Sequence, residues 1–333
     1  MRETDAAGWK AGKKRRCDIG VKKTKRILWV CIFVLAGIID LTVLIVNLYY
    51  ARQENIFFTE YDGTYDKECT TIYQYNSRIN ATVEIGKVQG NLYDCVINDE
   101  ETFITGISKS DDEGFEILRY DLATKSVETL DAAKEIAALI DNTAMASKIL
   151  LYNGGDKIFV SYIDNRDGIK WLFYDLNSGR YDICKGESGR CWTIHNGSLW
   201  YISNGAICQY DMESKEKTPI AKAVFSDYVV MPETGLVAYT MGNSIKKIYL
   251  YDIRTQKSNC IARGGWNTYY GVLLWTNSRW SDNGREFFYV KSFPGFFNAS
   301  IERLMVYDVL TCRSRCIYRS NMTTNYFQYV MKR

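Results

Sequence analysis

Histidine is almost absent from this chain of 333 residues, since His195 is the only one. A triad with a histidine base, or a metal site with several histidines, would have to use that side chain. His195 directly precedes an Asn-Gly turn, so we interpret it as an ordinary residue at the end of a strand. The sequence also lacks the G-x-S-x-G, H-E-x-x-H, P-loop and G-x-G-x-x-G motifs. We therefore predict no catalytic residue and no cofactor.

Proline is scarce at 3 residues whereas tyrosine is abundant at 25, a balance that favours strands over proline-rich linkers. Charge is distributed unevenly, because residues 1–26 hold ten Lys and Arg against three acidic side chains, whereas residues 51–333 carry a net charge of −3. A nearly neutral body lacks the basic footprint of a nucleic-acid-binding protein. We expect no nucleic-acid partner.

One long apolar segment, ILWVCIFVLAGIIDLTVLIVNLYY, occupies residues 27–50. As a helix it would extend roughly 36 Å, which exceeds a hydrocarbon core of about 30 Å. Nine basic residues lie between Lys10 and Arg26 but only Arg52 follows closely, so the positive-inside rule places the N-terminus in the cytoplasm. A cleaved signal peptide is the alternative, although the apolar stretch is too long and no small-x-small site follows it.

The predicted organisation is a single-pass cell-membrane protein: a basic cytoplasmic tail (1–26), a transmembrane helix (27–50) and an extracytoplasmic domain (51–333). Attraction to anionic lipid explains the basic tail. Asp40 is the one ionisable residue in the apolar segment. It lies either towards the outer headgroups or in a polar contact with another membrane helix.

A Tyr-Asp motif recurs along the extracytoplasmic part. Its copies are Tyr120-Asp121, Tyr174-Asp175, Tyr210-Asp211, Tyr251-Asp252 and Tyr307-Asp308, with a weaker Tyr75-Asn76. The six tyrosines are spaced by about 46 residues on average, which is typical of a four-stranded propeller blade. We expect each Asp to accept backbone N–H groups in a turn, and each Tyr ring to pack between sheets. A Gly-bearing turn precedes each motif, and one helical segment (131–141) is predicted between repeats.

The two ends of the domain complement each other. The first repeat, residues 55–88, offers three strands, and the C-terminus offers one orphan strand, Asn325–Met331. Three plus one completes a blade, and such closure removes open sheet edges. The sequence therefore predicts an all-β fold, a six-bladed β-propeller ectodomain with a single N-terminal transmembrane helix.

The segments WSDNGREFFYV (280–290) and MVYDVLT (305–311) resemble the blades of TolB-like and prolyl-oligopeptidase-type propellers. Those blades carry a W-S-x-D-G-like turn and a later Y-D-x-x-T/S turn. The Y-D-x-x-T/S turn is matched well in five repeats of this sequence, whereas the W-S-x-D-G-like turn is matched well only in the last repeat. The resemblance implies a six-bladed propeller that binds partners or gates a separate catalytic domain, and the sequence shows no such catalytic domain.

Acidic segments at 110–114 and 164–168 suggest calcium, but they lack a ligand ladder with a distal Glu. We interpret them as solvated turns and predict no metal site.

Eight cysteines follow the apolar segment. Cys184, Cys260 and Cys316 recur nine or ten residues after a motif Tyr, which favours one buried structural position over disulfides. Cys184–Cys191 and Cys312–Cys316 are the alternatives, since these pairs are close in sequence.

Aromatic residues are concentrated in two predicted loops of the last blade, GGWNTYYG (264–271) and SFPGFFNAS (292–300). The two loops should converge, and we call their aromatic set the rim; it consists of Trp266, Tyr269, Tyr270, Phe293, Phe296 and Phe297. An exposed apolar cluster on loops marks an interaction site. The alternative is that these rings pack among themselves or cap the blade junction.

The favoured function is a membrane-tethered extracytoplasmic binding or scaffold propeller, which is not an enzyme. Its partner, besides the membrane, is an unidentified protein or cell-surface glycan. The alternative is a surface enzyme that acts on glycans with carboxylates converging on the propeller channel. Such an enzyme needs an acid/base pair at a fixed separation, and the sequence singles out none.

Overall fold

The structure is a computed structural model that describes residues 27–42, 55–62, 68–109, 114–140, 145–195, 197–222, 227–230, 235–240, 247–263, 269–271, 280–281, 284–294, 300–320 and 325–332. The chain divides into two compact units, Met1–Arg52 and Gln53–Arg333.

The first unit contains one described helix, α1, over residues 27–42. Its large apolar side chains are all exposed; they are Ile27, Leu28, Trp29, Val30, Ile32, Phe33, Val34, Leu35, Ile38, Ile39 and Leu41. The tail 1–26 and the remaining part of the predicted span, 43–50, lie outside the described residues. No helix in the described part of the chain combines the length and the apolar character needed to span a membrane.

The second unit is built from antiparallel strands, twenty-four of them within the described residues. Four sheets have four strands each and the fifth has eight, in the order β3-β2-β1-β24-β4-β5-β6-β7. The eight-stranded sheet divides at the pairing of β24 with β4, which is parallel and spans only two residue pairs. On one side lies the group that we call the closing group, because it joins strands from both ends of the domain.

The closing group contains β24 (Asn325–Lys332), β1 (Asn55–Asp62), β2 (Cys69–Asn76) and β3 (Ala81–Gln89). The other half of that sheet contains β4 (Leu92–Ile97), β5 (Phe103–Lys109), β6 (Phe115–Asp121) and β7 (Val127–Leu130). The next sheet contains β8 (Met145–Tyr152), β9 (Lys157–Asp164), β10 (Gly168–Asp175) and β11 (Tyr181–Lys185).

Three further sheets follow in chain order. The first contains β12 (Arg190–His195), β13 (Ser198–Ser203), β14 (Ala206–Asp211) and β15 (Lys217–Lys222). The second contains β16 (Asp227–Val230), β17 (Leu236–Thr240), β18 (Lys247–Asp252) and β19 (Lys257–Arg263). The last sheet contains β20 (Tyr269–Gly271), β21 (Glu286–Pro294), β22 (Ser300–Asp308) and β23 (Arg313–Arg319).

The predicted helical segment forms α2 (Ala132–Leu139) between β7 and β8, with Ala132, Ala133 and Ile136 buried. A 3₁₀ turn at Asn153–Gly155 connects β8 to β9.

The Tyr-Asp motifs close the turn between the third and fourth strands of each group. Asp121 accepts the backbone N–H groups of Ala123 and Thr124 at 2.9 and 2.7 Å. Asp175, Asp211, Asp252 and Asp308 make the same pair of bonds, and so does Asn76 in the weaker copy. The predicted role of the carboxylate is confirmed in the structure.

Each of these turns ends with a residue in the left-handed backbone region, four positions after the Asp or Asn. These residues are Asn80, Lys125, Gly179, Lys215, Gln256 and Cys312, with φ between 50° and 70°. Only one of the six is glycine, so the other turns tolerate a conformation that disfavours side chains. Turn hydrogen bonds stabilise the conformation, as in the bond from Lys125 N–H to the Asp121 carbonyl at 2.9 Å.

The motif tyrosines pack between sheets, as predicted. Tyr75, Tyr120, Tyr174, Tyr210, Tyr251 and Tyr307 are all at most 7% exposed. The Tyr120 hydroxyl donates to the carbonyl of Ile85 in the preceding group at 3.2 Å. A Cβ at the adjacent Gly86 would lie 1.8 Å from that hydroxyl oxygen, so the close approach requires glycine.

Apolar clusters lie between consecutive groups of strands. One joins the closing group to β4–β7 and includes Phe57, Ile104 and Val330. Another cluster brings Phe58 of β1 together with Phe288 of the last sheet. The first and last parts of the domain therefore share one core, and β24 joins the beginning and the end of the domain in one sheet.

Ring closure yields a test of stability. β24 pairs with β1 over six residues, from Phe57↔Val330 to Asp62↔Asn325. We expect deletion of residues 321–333 to remove a large part of the roughly 5–15 kcal/mol that stabilises a typical domain, because it exposes the edges of both β1 and β4. Urea unfolding of the full-length and truncated chains measures this; an unchanged midpoint would contradict the closure.

A point substitution separates this effect from simple truncation. Val330 is fully buried whereas Val127, at the start of β7, is 45% exposed. We expect Val330→Asp to destabilise the domain by more than about 3 kcal/mol, since it buries an unpaired carboxylate. The matched change Val127→Asp should stay within about 0.5 kcal/mol of the parent.

Candidate functional site

The predicted rim falls partly within the described residues. Tyr269 and Tyr270 begin β20, and Phe293 is the next-to-last residue of β21. These three residues lie in strands rather than in loops, because Tyr269 and Tyr270 pair with β21 and the pairing of β21 with β22 continues to Pro294. Trp266, Phe296 and Phe297 lie outside the described residues, so the convergence of the rim side chains stays a prediction.

The backbone places the two rim segments at one end of the last sheet. Tyr269 pairs with Ser292, so the start of β20 lies beside the end of β21. The opposite end of β21 is marked by Glu286, which pairs with Asp308 of the last Tyr-Asp turn. The rim segments therefore leave the sheet at the end away from the Tyr-Asp turns.

Charged residues are buried at the Tyr-Asp end of the last sheet. Arg285 donates from Nη2 to Asp308 Oδ2 at 3.0 Å, and their side chains are 4% and 2% exposed. Glu286 is fully buried and accepts from Arg315 Nη2 at 2.7 Å. Burial opposes ionisation of Asp308, but the hydrogen bonds from Arg285 and from the turn outweigh it and lower the pKa of that carboxyl.

The last sheet and the closing group meet at a polar contact that we call the seam, formed by Glu60, Tyr73, Thr82 and Tyr318. The Tyr318 hydroxyl donates to Glu60 Oε2 at 2.8 Å and lies 3.0 Å from the Tyr73 hydroxyl. Burial, followed by the nearby Glu60 charge, raises the pKa of Tyr73 to about 12. Thr82 donates to the Ile317 carbonyl at 2.7 Å. These bonds satisfy polar groups between two sheets, a structural role.

Neither the buried ion pairs nor the seam was predicted from the sequence. Arg285 and Glu286 stand in an ordinary turn-and-strand pattern, and Glu60 stands in an aromatic-rich strand. The one available signal was a charged residue at a position where strand alternation predicts burial. Their partners come from other strands, so the sequence carries no spacing that would reveal them.

The acidic segment 164–168 forms the β9–β10 turn, and its carboxylates pair with a cation of β10. Asp164 accepts the N–H groups of Arg166 and Asp167 at 2.8 and 3.2 Å. Lys170 Nζ lies 2.9 Å from Asp164 and 2.8 Å from Asp167. The turn N–H of Arg166, followed by Lys170, lowers the pKa of Asp164 to about 2. The turn interpretation is thus supported here, whereas 110–113 lies outside the described residues.

The described part of the chain contains no group of three or more His, Cys, Asp and Glu side chains placed to hold a metal ion. His195 ends β12, as predicted, and is buried.

The cysteines whose bonding is described are free thiols: Cys31, Cys69, Cys95, Cys184, Cys208, Cys260, Cys312 and Cys316. Cys260 and Cys316 occupy equivalent places on β19 and β23, where each thiol donates to the carbonyl two residues on, at 3.4 and 3.3 Å. The recurring position of Cys260 and Cys316 is confirmed, but the expected burial is only partial, since Cys184, Cys260 and Cys316 are all half-buried. Neither Cys312–Cys316 nor Cys184–Cys191 is a disulfide, because Cys184, Cys312 and Cys316 are free thiols.

The largest described aromatic cluster is core. Trp171, Trp192 and Tyr201 join two neighbouring sheets, with the Trp192 and Tyr201 rings stacked at 4.8 Å between centroids. Trp171 and Tyr201 are buried. A concentration of aromatic side chains in this fold therefore can serve core packing. The same role is the alternative to binding for the rim.

Comparison of the fold shows similarity to TolB from Acinetobacter baumannii, with a TM-score of 0.55 and 13% identity over 84% of this chain and 67% of that protein. The proposed TolB of Agrobacterium tumefaciens matches with a TM-score of 0.50 and 11% identity, over 83% of this chain and 98% of that one. A proposed 6-phosphogluconolactonase from Bacteroides uniformis matches with a TM-score of 0.51 and 10% identity, over 84% and 100%.

No described protein family matches the sequence, and no curated protein matches it. Identities this low establish the fold alone. The domain has the fold of a TolB-like β-propeller.

The turn carboxylates predict how stability depends on pH. The N–H of the residue three positions on is the main cause that lowers the pKa of Asp121, Asp175 and Asp211. At pH values below about 4, the ordinary Asp range, the unfolded chain binds more protons than the folded one, so stability falls as pH falls. We expect the unfolding midpoint in urea to decrease steadily from pH 5 to pH 3.

A triple variant, Asp121→Asn, Asp175→Asn and Asp211→Asn, provides the control. An Asn oxygen still accepts the turn hydrogen bonds but does not titrate. The variant should lose less stability than the parent over the same pH range. Equal slopes for the two proteins would show that these carboxylates do not set the pH dependence.

Proposed function

We propose that this chain is a membrane-tethered, extracytoplasmic binding protein whose β domain is a six-bladed propeller. The observation that carries the proposal is the pairing of β24 with β1 over six residues. It joins both ends of the domain in one sheet, as a rigid platform for loops requires. The partner is a protein or a cell-surface glycan, and the platform binds it without catalysis.

The blade count follows from treating the eight-stranded sheet as two blades. Its halves are antiparallel four-stranded groups that touch through two parallel residue pairs. Counted in this way, the described strands form six groups of four. The cluster shared by Phe58 and Phe288 supports packing of the last group on the first.

The tether is supported by helix α1. An amphipathic helix buries one apolar face, whereas a helix that is apolar all round needs lipid or protein on every side. Every large apolar side chain of residues 27–42 is exposed, and ten basic residues precede it in the tail 1–26. We propose that the membrane span extends over 27–50 with the tail in the cytoplasm, as the positive-inside rule indicates.

The roles of the shifted Asp side chains support binding over glycan hydrolysis. A glycosidase needs one carboxyl with a raised pKa to act as its acid. Where the pKa of a described Asp is shifted, it is lowered, and the affected residues are Asp121, Asp164, Asp175, Asp211, Asp252 and Asp308. These groups accept turn hydrogen bonds, which favour the charged form.

Topology is tested by labelling intact cells with a membrane-impermeant maleimide. Ile163 is 46% exposed near the β9–β10 turn, so Ile163→Cys supplies an accessible thiol, and Cys17 lies in the basic tail. We expect peptide mass spectrometry to find label at position 163 and none at Cys17 until the cells are permeabilised.

The same experiment has two ways to fail. Label at Cys17 but not at position 163 would reverse the orientation. Release of the protein from membranes by alkaline carbonate would exclude the membrane span.

Rim binding is tested with the double variant Trp266→Ala and Phe296→Ala. A partner is first identified by screening the full chain, held in lipid nanodiscs, against glycans, peptides and cell-surface extracts. If the rim binds that partner, we expect the double variant to lose at least about tenfold in affinity, since aromatic side chains dominate binding surfaces. Its stability should change by less than about 1 kcal/mol.

The variant Trp280→Ala shows how large the loss of stability is when a buried aromatic side chain is truncated. Trp280 is buried at 3% exposure, so its truncation should cost roughly 3–5 kcal/mol. A loss of that size in the rim variant would show that Trp266 and Phe296 are core side chains.

A further inference from the structure

The chain enters the β domain at its Tyr-Asp end. Asn55 is the first residue of β1 and pairs with Asn76, the last residue of β2. Asn76 Nδ2 donates to Asn55 Oδ1 at 3.3 Å, while Asn55 Nδ2 donates to Glu101 Oε2 at 2.9 Å. Asn76 also begins the first Tyr-Asp-type turn, because its side chain accepts the N–H groups of Arg78 and Ile79. The point of entry and this turn are therefore hydrogen-bonded together.

Chain length limits how far that end can lie from a membrane. If the span proposed above ends at Tyr50, only residues 51–54 separate it from Asn55. Five fully extended steps cover at most about 18 Å. The headgroup region adds about 5–8 Å to each side of the hydrocarbon core. On that premise Asn55 lies at most about 10–13 Å beyond the headgroup region, so the linker allows the Tyr-Asp end to reach the lipid.

Exposed apolar side chains are concentrated at the same end. Ile79, at the tip of the Asn76 turn, is 73% exposed, and Leu310, at the tip of the Asp308 turn, is 42% exposed. Of the eight large apolar side chains that are exposed in the described β domain, five lie in a Tyr-Asp turn or within three residues of one; they are Ile79, Val83, Val127, Tyr181 and Leu310. A solvated turn has no need of an isoleucine at its tip.

The two turn tips belong to neighbouring groups of strands. The Thr82 hydroxyl of β3 donates to the Ile317 carbonyl of β23 at 2.7 Å, which fixes the closing group against the last sheet. Arg78, next to Ile79, is exposed as well, and a basic side chain beside an apolar tip suits an anionic headgroup layer.

We propose that the turns at 76–80 and 308–312 dock on the lipid headgroup layer, with Ile79 and Leu310 inserted as apolar tips. This docking rests on the proposed membrane tether. Two tips alone bind a bilayer weakly, but a short tether makes the contact intramolecular, with an effective concentration in the millimolar range. Docking on this side turns the opposite end of the domain, where the rim segments leave the last sheet, towards the exterior.

Photo-crosslinking in purified proteoliposomes of mixed zwitterionic and anionic lipid tests the docking. The photoreactive residue p-benzoylphenylalanine replaces one residue of the full chain at a time: Ile79, Leu310, Ile163 or Phe33. Ile163 is the matched control, because it is an exposed isoleucine beside the β9–β10 turn, away from the Tyr-Asp end. Phe33 lies in the proposed span and reports on the tether itself.

We expect lipid adducts at positions 33, 79 and 310, and at least fivefold less adduct at position 163. Lipid adduct at 33 with none at 79 and 310 would overturn the docking and leave the tether intact. No lipid adduct at 33 would overturn the tether. Adduct from 79 to a second copy of the chain would identify this end as a self-association surface instead, and equal lipid adduct at 79 and 163 would show that the domain has no preferred side.

Discussion

The pairing of β24 with β1 is the interaction on which the rest of the domain depends. The two strands are the first and the last of the β domain in sequence, and they lie next to each other in one four-stranded group. Without β24, both β1 and β4 would expose an unpaired edge, and the core shared by Val330 and Phe57 would open. Ordering of the whole domain therefore depends on contacts between residues separated by nearly its full length, a costly step in chain entropy.

Local chemistry reduces that cost, because the turn between the third and fourth strands has the same hydrogen bonds in every group. The Asp or Asn oxygen accepts two backbone N–H groups, and the following left-handed residue completes the turn. The backbone N–H directly after the motif Asp bonds to a carbonyl of the neighbouring hairpin turn, as that of Leu122 does to the Thr102 carbonyl at 2.9 Å. Because the five groups with a Tyr-Asp motif share this connection, much of their geometry is specified before they pack against their neighbours.

Function is proposed to lie at the two ends of the domain. The Tyr-Asp end combines tight turns, the start of β1 and exposed apolar tips, and buried ion pairs such as Arg285–Asp308 rigidify it. The other end holds the rim segments around Tyr269 and Ser292, which leave the last sheet side by side. A tethered binding protein needs this division, since one side faces the bilayer and the other side faces the partner.

The sequence by itself determined the strand content, the Tyr-Asp turns, the α2 segment and the pairing of the C-terminal strand with the first repeat, because each depends on local turn chemistry or on counting strands. Only the tertiary structure decided which strands carry Tyr269 and Phe293, that Arg285 pairs with Asp308, and that Tyr318 reaches Glu60 and Tyr73. The physical reason is the range of the interactions. An Asx turn is satisfied within four residues, whereas a buried charge is satisfied by a partner that tertiary packing brings from 23 to 258 positions away.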